Sequence, residues 1–361
     1  MTLSSTRNIE FLQALSSLTL APSRAYEVYP KLSRLTEEEF PALVALADSN
    51  HVVLRGLDAL QAAAAQAGDS ALVARCGARI EQEKLRIRNA IEHLQVITAA
   101  LEGAGCATTV MKSLDHWPDL GNDLDLYTTA SAQQVCRVMT SHFHAHIEPR
   151  SWGDRLANKW NFMVPGLPEA VEVHAQRLGQ TGEHIAMARR FVSRRVTRSV
   201  LEMEFKVPAP EERIVVATLQ RMYRHFYFRV CDIVNLGALV ESGSVDFAEL
   251  RRSASLGGIW KGVCSLLRIV SDYTQQYRGT PVALPSQVLA DAQFGGEKVF
   301  LRAGFIRVPI MPQGAALYTN QVTTTALRGD MAGILRLSLL PYLASAAAIS
   351  YKITGSDKGI W

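Results

Sequence analysis

The chain has 361 residues, 48% hydrophobic and 20% charged, with a formal net charge of +4, a balance that fits a soluble globular protein of two domains or one elaborated one. So small a positive charge favours anionic partners in general and gives no ground for a nucleic-acid-binding protein. Five cysteines, Cys76, Cys106, Cys136, Cys231 and Cys264, are scattered without Cys-x-x-Cys or Cys/His metal spacing, which predicts reduced thiols in a cytoplasmic protein.

The apolar stretch from Phe11 to Ala21 follows no basic leader and predicts a short helix rather than a signal sequence. From Asn8 to about Gly103 the pattern is helical. Leu35-Thr36-Glu37-Glu38-Glu39 has the form of a capped helix start, and Ala71 to Leu101 carries apolar residues at three-to-four spacing. Gly103 and Gly105 mark the end of that helix. Short β-type runs then follow at Ala107–Met111, Leu124–Thr128, His144–Glu148, Trp160–Val164 and Val171–Ala175, with a helix over Ser131–Phe143.

After Thr181 the pattern returns to helix. Pro208 and Pro210 break it, Glu211-Glu212 suits a helix N-terminus, and Gly295 to Gln321 is loop-rich. Met331 to Ile349 is nearly all apolar or small, but Arg336 and Pro341 interrupt it, so a buried C-terminal helix pair is expected rather than a transmembrane segment. The expected fold class is α+β: an N-terminal helical region over 1–103, a small mixed-sheet core over 104–207, and a mainly helical domain over 208–361.

The chemistry concentrates in Met111-Lys112-Ser113, a loop to Gly121, and Asn122-Asp123-Leu124-Asp125-Leu126. In a strand, alternation sends Asp123 and Asp125 to one face and Leu124 and Leu126 into the core. Two such carboxylates repel each other unless a cation lies between them, and oxygen donors of this kind suit Mg²⁺ or Mn²⁺ together with substrate phosphates. Glu172 is the candidate third acid, sharing the open face with His174 while Val171 and Val173 face the core. Arg221, His225, Arg229 and Asp232 fall at spacings of four, four and three on one predicted helical face, beside an apolar stripe of Met222, Phe226, Val230 and Ile233. That face either closes over a triphosphate or is a solvated, ion-paired surface. Arg189, Arg190, Arg194, Arg195 and Arg198 read as a solvated basic helix face, and His142, His144 and His146 alternate along a predicted strand without a suitable acidic or cysteine partner.

Met111-Lys112-Ser113, Gly121-Asn122-Asp123-Leu124-Asp125-Leu126 and Val171-Glu172-Val173-His174 together resemble bacterial nucleotidyltransferase-fold proteins of the polymerase-beta-like superfamily, most closely an uncharacterised subgroup. The resemblance covers roughly Leu85 to Leu239. It implies a mixed-sheet nucleotidyltransferase core, with Asp123, Asp125 and Glu172 as catalytic and metal-binding carboxylates. It also implies nucleotide contacts from Lys112, Ser113, Asn122, His174, Arg221, His225 and Arg229. The activity implied is transfer of a nucleoside monophosphate from a nucleoside triphosphate to an unidentified small-molecule, protein or RNA acceptor. Two positions depart from the family: its turn usually carries Gly followed by Ser or Gly, and its third acid is more commonly Asp. These departures keep a catalytically weak nucleotide-binding or regulatory protein as an alternative. A sugar-nucleotide glycosyltransferase using the Asp-x-Asp is a further one, opposed by the helical character of the chain before the acidic pair.

Overall fold

The computed structural model describes residues 5–354 and opens with five helices: α1 (Ser5–Leu20), α2 (Ala25–Leu32), α3 (Glu39–Ser49), α4 (Val53–Gln66) and α5 (Ser70–Gly103). The predicted capped start is real, since Thr36 and Glu39 exchange backbone-to-side-chain hydrogen bonds just before α3. Asp69 caps α5 by accepting from the Leu72 N–H. Along α5, Cys76, Ile80, Ile87, Ile91, Leu94 and Leu101 recur at helical spacing and are all buried, and the chain leaves through Gly105 at a φ of +78°.

The sheet comes next, with β1 (Thr108–Val110), β2 (Asp123–Thr128), α6 (Ala132–Phe143), β3 (His146–Ile147), α7 (Trp152–Ala157), β4 (Lys159–Met163) and β5 (Ala170–Ala175). Its strand order is β1-β2-β5-β4-β3. β2 and β5 are parallel, and the remaining pairs are antiparallel. Leu124, Leu126, Val171 and Val173 are completely buried and share one core with the N-terminal helices. Each such side chain contributes about 1.5–3 kcal/mol through burial, and a one-residue slip would expose all four, so the register is firmly set. The opposite sheet face carries Asp123, Asp125 and Tyr127 along β2. At the Tyr127 end it is covered by Phe191 and Ala188 of α8 (Ala186–Ser193).

Beyond Thr181 the structure departs from the helical expectation. Arg195 and Arg198 lie on β6 (Arg195–Val200), which forms a hairpin with β7 (Met203–Pro208). Its two-residue turn, Leu201-Glu202, has positive φ at both positions, as a right-twisted hairpin requires. The periodic arginines masked a strand whose Val196 and Thr197 pair with Val207 and Lys206. Nor are these arginines a free basic face: Arg190 and Arg194 pair with Glu211, Glu212 and Glu249, Arg195 with Glu102, and Arg198 with Asp115. The three histidines do not alternate along one strand either. His142 is in α6, His144 caps it in the left-handed region, and His146 is in β3.

The remainder is α9 (Pro210–Thr218), β8 (Tyr227–Phe228), α10 (Val230–Glu241), α11 (Phe247–Leu256), α12 (Trp260–Arg278), α13 (Ser286–Asp291), β9 (Phe300–Arg302), β10 (Phe305–Arg307), α14 (Ala315–Leu327), α15 (Met331–Leu337) and α16 (Leu340–Thr354). The loop-rich stretch therefore holds a hairpin, and β10 pairs with β8 as well as β9. The C-terminal helix pair exists but is not buried: Met331, Leu335, Tyr342 and Ile349 are all exposed. Apolar composition set the helices, not their burial. No described helix is long and apolar enough to cross a membrane.

The first and last regions are joined by Asn50. This fully buried residue donates to the Gly304 carbonyl and accepts from the Val230 N–H, both at 3.0 Å. That contact fixes the end of α3 against the start of α10. It also brings His51, from the N-terminal region, to the rim of the cleft described next.

Candidate active site

β2 and β5 build one wall of a cleft that holds about 270 Å³ of water-accessible space. Their parallel register sets Asp125 beside Glu172 and Tyr127 beside His174, so strand alternation brings Asp123, Asp125, Glu172 and His174 to the same face. Ligand atoms of Asp125, Glu172 and His174 all lie within 4.8 Å of one another. Asp123 and the exposed Asn122 line the same cleft at its open end.

The face is not open, as the sequence led us to expect; Asp125, Glu172 and His174 are buried, and each acid meets an internal cation. Lys112 Nζ lies 2.6 Å from Asp125 Oδ1. Lys159 Nζ lies 2.9 Å from both Glu172 Oε2 and Asp154 Oδ1, and His174 Nε2 lies 2.7 Å from Glu172 Oε1. Burial drives the Asp125 carboxyl well above its usual range, reinforced by repulsion from Asp123 and Glu172 and only partly opposed by Lys112. Burial acts the same way on Glu172, but Lys159 and the His174 hydrogen bond overcome it and hold that carboxylate ionised. His174 is kept neutral, chiefly by burial, so its Nε2–H donates to Glu172 and its buried Nδ1 has no partner among the described residues.

The turn before β2 is closed by its own backbone. Ser113 N–H donates to the Met111 carbonyl at 2.5 Å, closing a three-residue γ-turn with Lys112 at φ +52° and ψ −52°. That conformation normally falls to glycine. Here it aims the Lys112 side chain back at Asp125. The Ser113 hydroxyl accepts from the Asp125 N–H at 2.8 Å and faces the Asp123 carbonyl at 3.4 Å, tying the turn to the strand.

The facing wall is helical but not one helix. After α9 the chain widens into a π-turn over Leu219–His225, reverses at Phe226 with φ +53°, runs through β8, and restarts as α10 behind Arg229. Arg221, His225, Arg229 and Asp232 therefore do not share one helical face; Arg229 and Asp232 belong to the next helix. The fold nevertheless brings Arg221, His225 and Arg229 to the cleft, together with Arg224 and Tyr227. Arg221 is completely buried, 2.7 Å from Asp232 Oδ2 and 5.5 Å from the Tyr227 ring centroid. By contrast, the Arg224 and Arg229 guanidiniums make no ion pair among the described residues, and their Nε atoms are buried without partners. Burial and nearby arginines push His225 well down, so it is a neutral group there.

Lys159, Arg224, His51 and His116 are site residues that sequence reasoning missed. The one local signal for Lys159 is a lysine opening an otherwise apolar β-run; His51 carries none, because long-range packing alone brings it to the cleft.

This donor set fits a divalent cation at one part of the acidic group. Asp123 has no side-chain hydrogen bond or ion pair among the described residues, and Asp125 has one oxygen free of Lys112. Glu172 fits less well as a third ligand than the sequence suggested, since Lys159 and His174 engage both of its oxygens. The arrangement is thus a carboxylate wall facing an arginine wall, suited to an anion carried with a cation. No protein-family model, curated protein or solved structure matches the chain.

Proposed function

We propose that the protein is a metal-dependent nucleotidyltransferase, moving a nucleoside monophosphate from a nucleoside triphosphate to an acceptor. One observation carries the reading: the β2/β5 register groups Asp125 with Glu172, two residues beyond Asp123, across a cleft from unpaired Arg224 and Arg229. In this reading Asp123 and Asp125 hold Mg²⁺, which neutralises the triphosphate. Arg224 and Arg229 clamp the β- and γ-phosphates, and Lys112 and Arg221 add positive potential. Asn122 and His225 border the nucleotide. Glu172 and His174, locked to Lys159, position Asp125 rather than ligate.

An acceptor oxygen or nitrogen forms the bond to the α-phosphorus while the bond to the bridging α,β-oxygen breaks. Pyrophosphate leaves with that electron pair. The acceptor's proton is released to water at the open end of the cleft. Asp123→Asn and Asp125→Asn should each cut Mg²⁺-dependent release of pyrophosphate from ATP or GTP by roughly 100-fold or more without unfolding the chain. Turnover equal to the native protein's would refute the assignment.

A second reading, nucleotide binding without turnover, is favoured by the two lysines that already neutralise Asp125 and Glu172. Calorimetry showing Mg²⁺·ATP bound but no pyrophosphate released in cell extract would select it. A sugar-nucleotide glycosyltransferase is opposed by what precedes Asp123 among the described residues: five helices and one three-residue strand, rather than an alternating α/β half.

A further inference from the structure

Beside the cleft lies a cavity of different character, holding about 200 Å³ of water-accessible space. Its walls are Phe226, Ile310, Met311, Tyr318, Leu340 and Pro341. Ile310 and Met311 stand 61% and 73% exposed at its rim, so the cavity opens to solvent. A smaller hollow lies between it and the cleft. That hollow shares Gln180, Tyr223, Arg224 and Leu340 with the cavity, and Lys112, Gln220 and Arg224 with the cleft. Arg224 borders all three spaces. The three spaces therefore adjoin, with Arg224 standing between the Lys112–Asp125 end of the cleft and the apolar chamber.

A polar group in that chamber also lacks a partner. Gln321 is 1% exposed, and one end of its amide lies 3.3 Å from His184 Nε2. Whichever way the amide is assigned, its other end has no partner among the described residues. An unsatisfied buried amide is costly unless a ligand or water completes it.

We infer that this chamber is the acceptor site, and that the acceptor is a small molecule with one apolar ring and a hydroxyl at each end. One hydroxyl meets Gln321, and the other reaches past Arg224 toward the α-phosphorus. A space of about 150 Å³ accommodates a benzene ring in other proteins, so the volume suits one substituted ring. An apolar body with few oriented polar contacts is the usual chemistry of such sites. This inference rests on the nucleotidyl-transfer reading, with the acceptor oxygen taking the place described for it above.

The test uses the full chain with 4-(hydroxymethyl)phenol as probe, followed by saturation-transfer NMR titration, with Mg²⁺·ATP binding measured in parallel. Ala344→Trp, which fills the chamber from α16, and Ile310→Glu, at its exposed rim, should each weaken the probe by at least tenfold and leave Mg²⁺·ATP binding unchanged. If the native chain does not bind the probe, or both variants bind it as the native chain does, the acceptor site is overturned while the nucleotide reading stands. Probe binding that responds to both variants without any Mg²⁺·ATP binding supports the chamber as a ligand site and overturns the transfer reading.

Discussion

The two walls of the cleft handle charge in opposite ways. On the sheet side Asp125 and Glu172 are buried and individually matched, by Lys112 and by Lys159 with His174. On the helical side Arg224 and Arg229 have no counter-ion among the described residues, and His225 is held neutral. The difference separates charges matched inside the fold from charges left uncompensated, and it is the second group that the proposed nucleotide would meet.

The largest expected effect tests the neutral histidines. Burial, reinforced by arginines, lowers His51 to about 2 and holds His116 and His225 well below the usual imidazole range. The unfolded chain protonates all three near a pKa of about 6.5, whereas the folded chain does not. Their contribution is therefore complete above that pH and is lost as pH falls below it, by up to about 1.4 kcal/mol per histidine per pH unit. Between pH 7.5 and pH 5 these three histidines should contribute a loss on the order of 6 kcal/mol to urea unfolding, opposed by the raised carboxyls of Asp125 and Asp119, which gain a proton in the folded chain over the same range. His225→Gln should make the loss smaller, and an unchanged slope in that variant would contradict the assignment.

Lys159→Met tests the sheet wall. It leaves Glu172 and Asp154 buried without their shared cation, and should destabilise the protein by about 3–5 kcal/mol in denaturant titrations. A cost near zero would show the pair is not maintained in solution. Arg224→Ala, on the other wall, should do the reverse. Stability should change by less than about 1 kcal/mol because no ion pair is lost, while calorimetry should find Mg²⁺·ATP bound roughly tenfold more weakly. Equal affinity would remove the arginine wall from nucleotide binding.

The smallest effect is expected for Lys112→Gly. Relief of the γ-turn strain, about 1–3 kcal/mol for such conformations, opposes loss of the Asp125 ion pair, and Asp125, whose burial favours the protonated form, is not left as an unpaired buried charge, so net stability should move by about 1 kcal/mol or less. Mn²⁺ binding followed by electron paramagnetic resonance should nevertheless tighten, because a competing cation has gone. Weaker Mn²⁺ binding would mean that Lys112 supports the metal position rather than competing for it.

The sheet wall was legible in the sequence because a strand has period two: once Leu124 and Leu126 were assigned inward, Asp123 and Asp125 had to face together. The same count placed Glu172 with His174. It could not reveal Lys159, whose pairing with Glu172 depends on which strand lies next to β5. The helical wall was read less well, since a 3.6-residue count fails across the π-turn and the reversal at Phe226. That count grouped Arg221, His225 and Arg229 correctly as cleft residues on a wrong geometric premise, and it passed over Arg224. The hairpin at Arg195–Pro208 was hidden for a related reason, since arginine spacing imitated a helix face where the alternating Met203, Phe205 and Val207 of β7 mark the paired strand.

The widened turn at Leu219–His225 has an evolutionary corollary. π-turns are rare and hold poorer hydrogen-bond geometry than the α-helix on either side, and each amounts to one inserted residue. Removing one residue there is a short mutational path to a more regular helix. It would also rotate Arg224 and His225 about the helix axis, away from the cleft. Helix regularity and the placement of Arg224 and His225 in the cleft thus compete at the same seven positions, so stabilising drift along this segment would draw those two side chains out of the cleft while leaving Arg229 and the β2/β5 carboxylates in place.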